Sequence, residues 1–276
     1  DVRNYYHWRF GDIYYTKKGA GSPILLIHDT LPGSSGYEWN KIEEELTVDH
    51  TVYTVDLLGC GRSDKSSITY TNFVYVQMIS DFIKKIIGQK TDVIASGLSG
   101  SFVAMACHNE KELFNKIMLV NPPSLTQLKQ MPNRKDRLLK AALEIPIFGT
   151  LVYHMIVSRD NVNNLFIEKM YYNPFHVDNQ MADAYYEAAH KGGYYTRFLY
   201  SSLAAKYMNV NICHALKALD NSIYIVEGET EPNGKAVTDD YCASNPAIEV
   251  SVLKETKHLP HVEAPEAFLE QVKIFF

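Results

Sequence analysis

Residues 23–27 (PILLI) form an unbroken apolar run, the pattern of a strand buried on both faces. Upstream, residues 8–10 and 12–16 flank Gly11 and predict a tight hairpin turning at that glycine. Residues 17–22 (KKGAGS) predict a turn, and residues 39–46 have helical spacing. Residues 51–55 (TVYTV) are β-branched and aromatic, which predicts a strand. Over 72–87, Phe73, Val76, Ile79, Ile83 and Ile86 make a helical stripe. A strand over 91–95, a helix over 101–108 and a strand over 117–120 follow.

This alternation predicts a mostly parallel sheet with helices on both faces. The rhythm stops at Asn121-Pro122-Pro123, and about ninety chiefly helical residues follow. It resumes with strands over 222–227 (SIYIVE) and 249–253 (EVSVL), then a helix from Pro265 towards Phe276. The expected architecture is a single α/β domain over 1–276 with eight strands. A helical lid over 124–210 is inserted after the sixth strand. Residues 123–210 hold nine of the 19 tyrosines and five of the eight methionines. That composition suits an apolar pocket lining and equally the insertion's own core.

Composition narrows the partners. Lys plus Arg is 27 against 32 Asp plus Glu, a net charge of −5. A nucleic-acid binder would carry a basic excess, and so would a polybasic membrane-surface protein. No run of apolar residues is long enough to span a bilayer. Cys60, Cys107, Cys213 and Cys242 are widely spaced with no C-x-x-C pair, which predicts free, mostly buried thiols. The chain begins at Asp1 rather than Met, so an upstream signal or anchor, and hence the compartment, stays open. Oligomeric state is open too. No P-loop or dinucleotide fingerprint follows a strand, and no cofactor is expected. His261 and Glu263 lie near His258, but an intervening proline and the lack of a third ligand argue against a metal site.

Four segments, in order, resemble the α/β-hydrolase fold family. PILLIHD (23–29) is similar to the strand that precedes the family's oxyanion loop. DLLGCGRSD (56–64) resembles the turn after the next strand, and DVIASGLSGS (92–101) sits where the nucleophile elbow belongs. KHLPHVEAPEAF (257–268) resembles the terminal histidine segment. The resemblance implies a nucleophile–acid–histidine triad. It assigns the histidine to His258 and the acid to Glu231, three residues after Gly228, with Glu229 or Asp240 as substitutes. Ungapped, the elbow apex falls on Gly97, which has no side chain to attack with. A two-residue slip would instead make Ser99 the nucleophile, and Cys60, Cys107 and Ser96 are weaker candidates. Glycine accepts the left-handed backbone of an elbow apex without strain. The sequence does not say whether Gly97 is native or an inactivating substitution.

By the same resemblance, the backbone N–H groups of Thr30 and Leu98 would form an oxyanion hole. Asp29 replaces a family glycine there, and its carboxylate either turns outward or repels a developing oxyanion. Three functional expectations follow. One is a hydrolase of small ester or acyl substrates. Another is a nucleophile-free enzyme in which His258 and Glu231 do acid–base chemistry. The third is a non-catalytic pseudo-hydrolase that binds a small molecule under the lid, in a largely apolar pocket with tyrosine hydroxyls near its mouth.

Overall fold

The structure, a computed structural model, describes residues 2–276. Its strands are β1 Val2–Trp8, β2 Gly11–Lys18, β3 Ser22–Ile27, β4 His50–Val55, β5 Thr91–Ser96, β6 Phe114–Val120, β7 Ile223–Gly228 and β8 Glu249–Leu253. They form one sheet in the order β1-β2-β4-β3-β5-β6-β7-β8. β1 and β2 pair antiparallel, as do β2 and β4, and every other neighbouring pair is parallel. This is the α/β-hydrolase fold.

The apolar run in β3 is buried on both faces, as its pattern requires. Leu25 and Ile27 join one core layer with Phe82 and Phe102, while Ile24 and Leu26 join the opposite layer with Trp39 and Phe268. Successive side chains of a strand alternate faces, so one short segment ties both helical layers to the sheet. The chain leaves β3 towards β4 on one side, whereas β5 lies on the other. Between β3 and β5 is therefore the point where the winding reverses, and the crevice at the carboxyl ends of such strands is a natural site.

Three expected elements differ. The hairpin turns at Arg9 and Phe10, and Gly11 already pairs with Trp8. Gly11 has φ +148°, and a Cβ there would crowd Asp64, Ser66 and Leu58. Its small size serves close approach to that loop rather than the turn itself. Residues 36–46 form two short turns, Gly36–Trp39 and Glu43–Leu46, instead of one helix. The helix Asn72–Phe82 passes into a wider turn, Ile83–Ile87, closed by left-handed Gly88, and Phe73 of the apolar stripe faces solvent.

Between β6 and β7 the described chain has no strand. Its helices include Arg134–Leu143, Pro146–Ile156, Arg159–Leu165, Asn179–His190 and Arg197–Ala204. Several of the insertion's Tyr and Met residues are its own core: Met170, Tyr171 and Met181 pack with Phe166, and against Leu259 and Val262 of the main domain. Among the described residues no single helix is long and apolar enough to cross a membrane. All four cysteines are free.

Candidate active site

Gly97 follows β5 directly and has φ +55°, and its N–H donates to the Val120 carbonyl at 2.9 Å, continuing the β5–β6 ladder. Helix Ser99–Asn109 begins two residues later. The strand-to-helix bend thus has its left-handed apex at Gly97. Ser99 is fully buried as the first helical residue, and its Oγ donates to the His28 carbonyl at 2.5 Å, away from the cleft. Ser96 is buried within β5. Burial pushes the thiols of Cys60 and Cys107 up to about 12, so neither is a thiolate near neutrality. All four of these side chains are fully buried.

The loop after β3 is pinned from below. Nδ1–H of His28 donates to the Asp29 carbonyl at 2.5 Å, and its Nε2 accepts from Leu57 N–H at 2.9 Å. Asp29 is thereby held with its carboxylate inward, not outward as one of the two expectations had it. One oxygen, Oδ1, accepts from Thr30 N–H at 2.7 Å and from Leu98 N–H at 3.1 Å. These are the two donors expected to form the oxyanion hole. The other, Oδ2, accepts from His258 Nε2 at 3.0 Å. A Cβ on Gly97 would overlap the same carboxylate. The space that a nucleophile side chain and a substrate oxyanion would need is filled by Asp29.

On its far side, His258 donates from Nδ1 to Glu231 Oε1 at 3.1 Å. Glu231 stands in the turn after β7, where its own N–H closes on the Gly228 carbonyl at 3.1 Å. Glu229 points elsewhere and accepts from Glu255 N–H at 2.9 Å, and Asp240 is exposed on helix Gly234–Ser244. Both ring nitrogens of His258 therefore face carboxylates. Burial alone would lower its pKa, but Asp29 and Glu231 outweigh burial and raise it to about 10. For Asp29, burial opposes ionisation, yet His258 and the two backbone N–H groups hold its carboxyl below the usual range. Both shifts favour an ion pair between the Asp29 carboxylate and a protonated His258.

A second polar chain supports the first. Asp29 N–H donates to Glu38 Oε1 at 3.2 Å, and Glu38 Oε2 pairs with His261 Nε2 at 2.9 Å. His261 is fully buried and stacks on Trp39 at 4.4 Å between ring centroids. Glu263 instead accepts from the backbone N–H groups of Lys257 and Tyr172. His261 and Glu263 thus have different hydrogen-bond partners.

A cleft of about 540 Å³ opens beside Gly97, between the sheet and the insertion. Its wall includes Asn121, Gln127, Lys169, Glu227, Glu231, Lys257 and His258, and no tyrosine. More of the wall is apolar than polar, with Leu31, Leu98, Leu165, Met170, Leu203 and Val237, so the lining is largely apolar as expected, whereas the expected tyrosines at the mouth are not there. The strand ends that form the cleft carry polar groups, whereas the apolar chamber behind His258, bounded by Phe166, Met181 and Tyr185, holds only about 40 Å³. Two wall residues escaped sequence reasoning. Asn121, with φ +43°, accepts from Gly228 N–H at 3.0 Å and donates to the carbonyls of Lys257 (2.8 Å) and His258 (3.0 Å). Glu227 is buried near the end of β7; burial raises its pKa, and Thr238 Oγ1 donates to it at 3.2 Å. The available signal was positional: both stand at carboxyl ends of central strands.

Comparison with known proteins agrees with this frame. A model of the "Alpha/beta hydrolase family" matches residues 24–271. A 2-hydroxy-6-oxo-6-(2'-aminophenyl)hexa-2,4-dienoic acid hydrolase of Metapseudomonas resinovorans is 28% identical over 113 residues, covering 40% of this chain and 39% of that protein. An uncharacterized protein of Mycobacterium tuberculosis is 28% identical over 109 residues, covering 40% and 31%. The matched part is thus well under half the length of these curated relatives. Among solved structures, a serine hydrolase involved in carbazole degradation superposes with a TM-score of 0.79 at 17% identity, over 99% of this chain and 98% of that one. The 2-hydroxy-6-oxo-6-phenylhexa-2,4-dienoate hydrolase from Rhodococcus sp. strain RHA1 also reaches 0.79, at 16% identity over 100% and 98%. At such identity these likenesses concern the fold. The family match runs from β3 into the last helix and takes in the elbow, the acid turn and the histidine segment, so the chain belongs to the alpha/beta hydrolase family.

Proposed function

We propose that this chain binds a small ligand with an apolar body and a few polar groups in the cleft beneath its helical insertion and forms no acyl-enzyme. One observation carries the reading: the Asp29 carboxylate accepts from Thr30 N–H, Leu98 N–H and His258 together, above a residue that has no side chain. Acyl transfer needs a nucleophile, a neutral base and an empty oxyanion hole. Here Gly97 supplies no nucleophile, while Asp29 holds a proton on His258 and occupies both oxyanion donors. Asp29 is itself a poor nucleophile, because both of its oxygens are occupied by donors and its carboxyl is held below the usual range. The largely apolar wall with polar groups at the strand ends favours a ligand that joins an apolar body to a few hydrogen-bonding groups.

A second reading keeps catalysis without a covalent step. The His258–Glu231 contact of 3.1 Å favours it, since this pair would remain ordered if a ligand displaced Asp29. Under either reading the unaltered chain should hydrolyse p-nitrophenyl acetate and butyrate at background rates. Gly97→Ser alone should stay inactive, because its side chain and Asp29 compete for one space. Gly97→Ser with Asp29→Gly should raise the rate at least about tenfold, since hydroxyl, base and oxyanion donors would then coexist. Strong esterase activity in the unaltered chain would overturn the proposal. Turnover that appears only with an unactivated substrate, and falls with His258→Gln, would favour the second reading.

A further inference from the structure

Helices Arg134–Leu143 and Pro146–Ile156 form an elbow of the insertion, bent by 94°. Pro146–Ile156 turns one face inward through Gly149 and Tyr153. Its other face carries Ile147, Leu151 and Met155 at i, i+4 and i+8, which are 78%, 66% and 65% exposed, with Phe148 beside them at 52%. Leu138 and Leu139 of the preceding helix extend the apolar surface. A contiguous patch of this kind marks a contact surface.

The surrounding charge is one-sided. Between residues 125 and 158, every exposed charged side chain is basic: Lys129, Arg134, Lys135 and Arg137. The two acids in that stretch are engaged with the insertion itself. Asp136 caps its own helix and pairs with Lys206, and Glu144 accepts from Lys140 and Ser201. The net charge of −5 conceals this segment, and it was that net value which argued against a membrane surface.

We infer that this elbow docks on an anionic lipid surface. An apolar stripe flanked by Lys and Arg, on two helices that are each too short to cross a bilayer and are joined by a 94° bend, has the character of an interfacial element. Its basic residues complement anionic headgroups. The inference is independent of whether the cleft is catalytic.

The test is flotation of the full chain with phosphatidylcholine vesicles, with and without phosphatidylglycerol, alongside light scattering of the free chain. Binding to the phosphatidylglycerol vesicles is expected, weakening as salt is raised. Arg134→Gln/Lys135→Gln/Arg137→Gln should bind them about a hundredfold more weakly, and Ile147→Ser/Leu151→Ser/Met155→Ser should lose binding. Circular dichroism should be unchanged for both variants, since the altered side chains are exposed. The inference fails if the unaltered chain floats with neither vesicle, or if the charge variant binds as well as the parent. It fails equally if the chain is a dimer that the serine variant splits and no vesicle binds, which would assign the face to a second copy.

Discussion

Asp29 and Gly97 occupy each other's space, and neither can be understood alone. The missing Cβ at Gly97 leaves room for the Asp29 carboxylate, which in turn satisfies both N–H donors and draws a proton onto His258. Replacing Asp29 with Asn removes one of the two charges on that histidine. The His258 pKa, raised to about 10 in the parent, should then fall towards its ordinary 6.5. Titration of the ring protons by NMR would show it, and an unchanged pKa would mean that Glu231 alone fixes the proton. Gly97→Ser should also destabilise, by about 1–3 kcal/mol for a side chain on left-handed backbone, with further loss from ejecting Asp29. The resemblance to the family's motifs could pick out His258 and Glu231, because each follows a strand within a local segment. The direction of the Asp29 side chain could not. It depends on an empty volume created by a distant residue, and a sequence read segment by segment does not contain that pairing.

Elements hold the site through their ends. Asn121 leaves β6 in a left-handed conformation and bonds across the exit of β7 to the segment carrying His258. Asn121→Ala would leave the Gly228 N–H and two carbonyls without that partner. A loss of about 1–3 kcal/mol is expected, measurable by denaturant unfolding, together with faster amide exchange at Gly228 and His258. A neutral result would show that water replaces the side chain. The central strands were readable because burial on both faces leaves continuous apolar runs. The hairpin at Gly11 and the turns over 36–46 were misread because packing against neighbouring segments, not local propensity, sets them. The apolar stripe of 72–87 correctly gave a helix, yet Phe73 near its start faces solvent, since the stripe drifts off the buried face at the end.

For the whole molecule, the charged triad makes stability depend on pH at both ends. The raised His258 pKa contributes stability that is complete below its ordinary 6.5 and disappears as pH climbs through about 10. Asp29, lowered from 3.8, contributes above that value and loses its effect as pH falls through its depressed pKa. Melting temperature should therefore be highest between about pH 4 and 6.5 as far as this pair is concerned, and should decline towards pH 10. In Asp29→Asn the alkaline decline should flatten. Scanning calorimetry across that range would check it, and an identical alkaline slope in both proteins would remove the pair from the account.

The bond between Asp29 and His258 joins positions 229 residues apart. Such a contact closes nearly the whole chain into a loop, and it can form only after the strands on both sides of β5 have docked. Where docking of those strands is the rate-limiting crossing, its free energy is gained afterwards. Interactions made after that crossing slow unfolding and leave the speed of folding almost untouched. In that case the Asp29–His258 pair acts on the protein's lifetime: it keeps the two halves of the sheet together for longer without helping them to find each other.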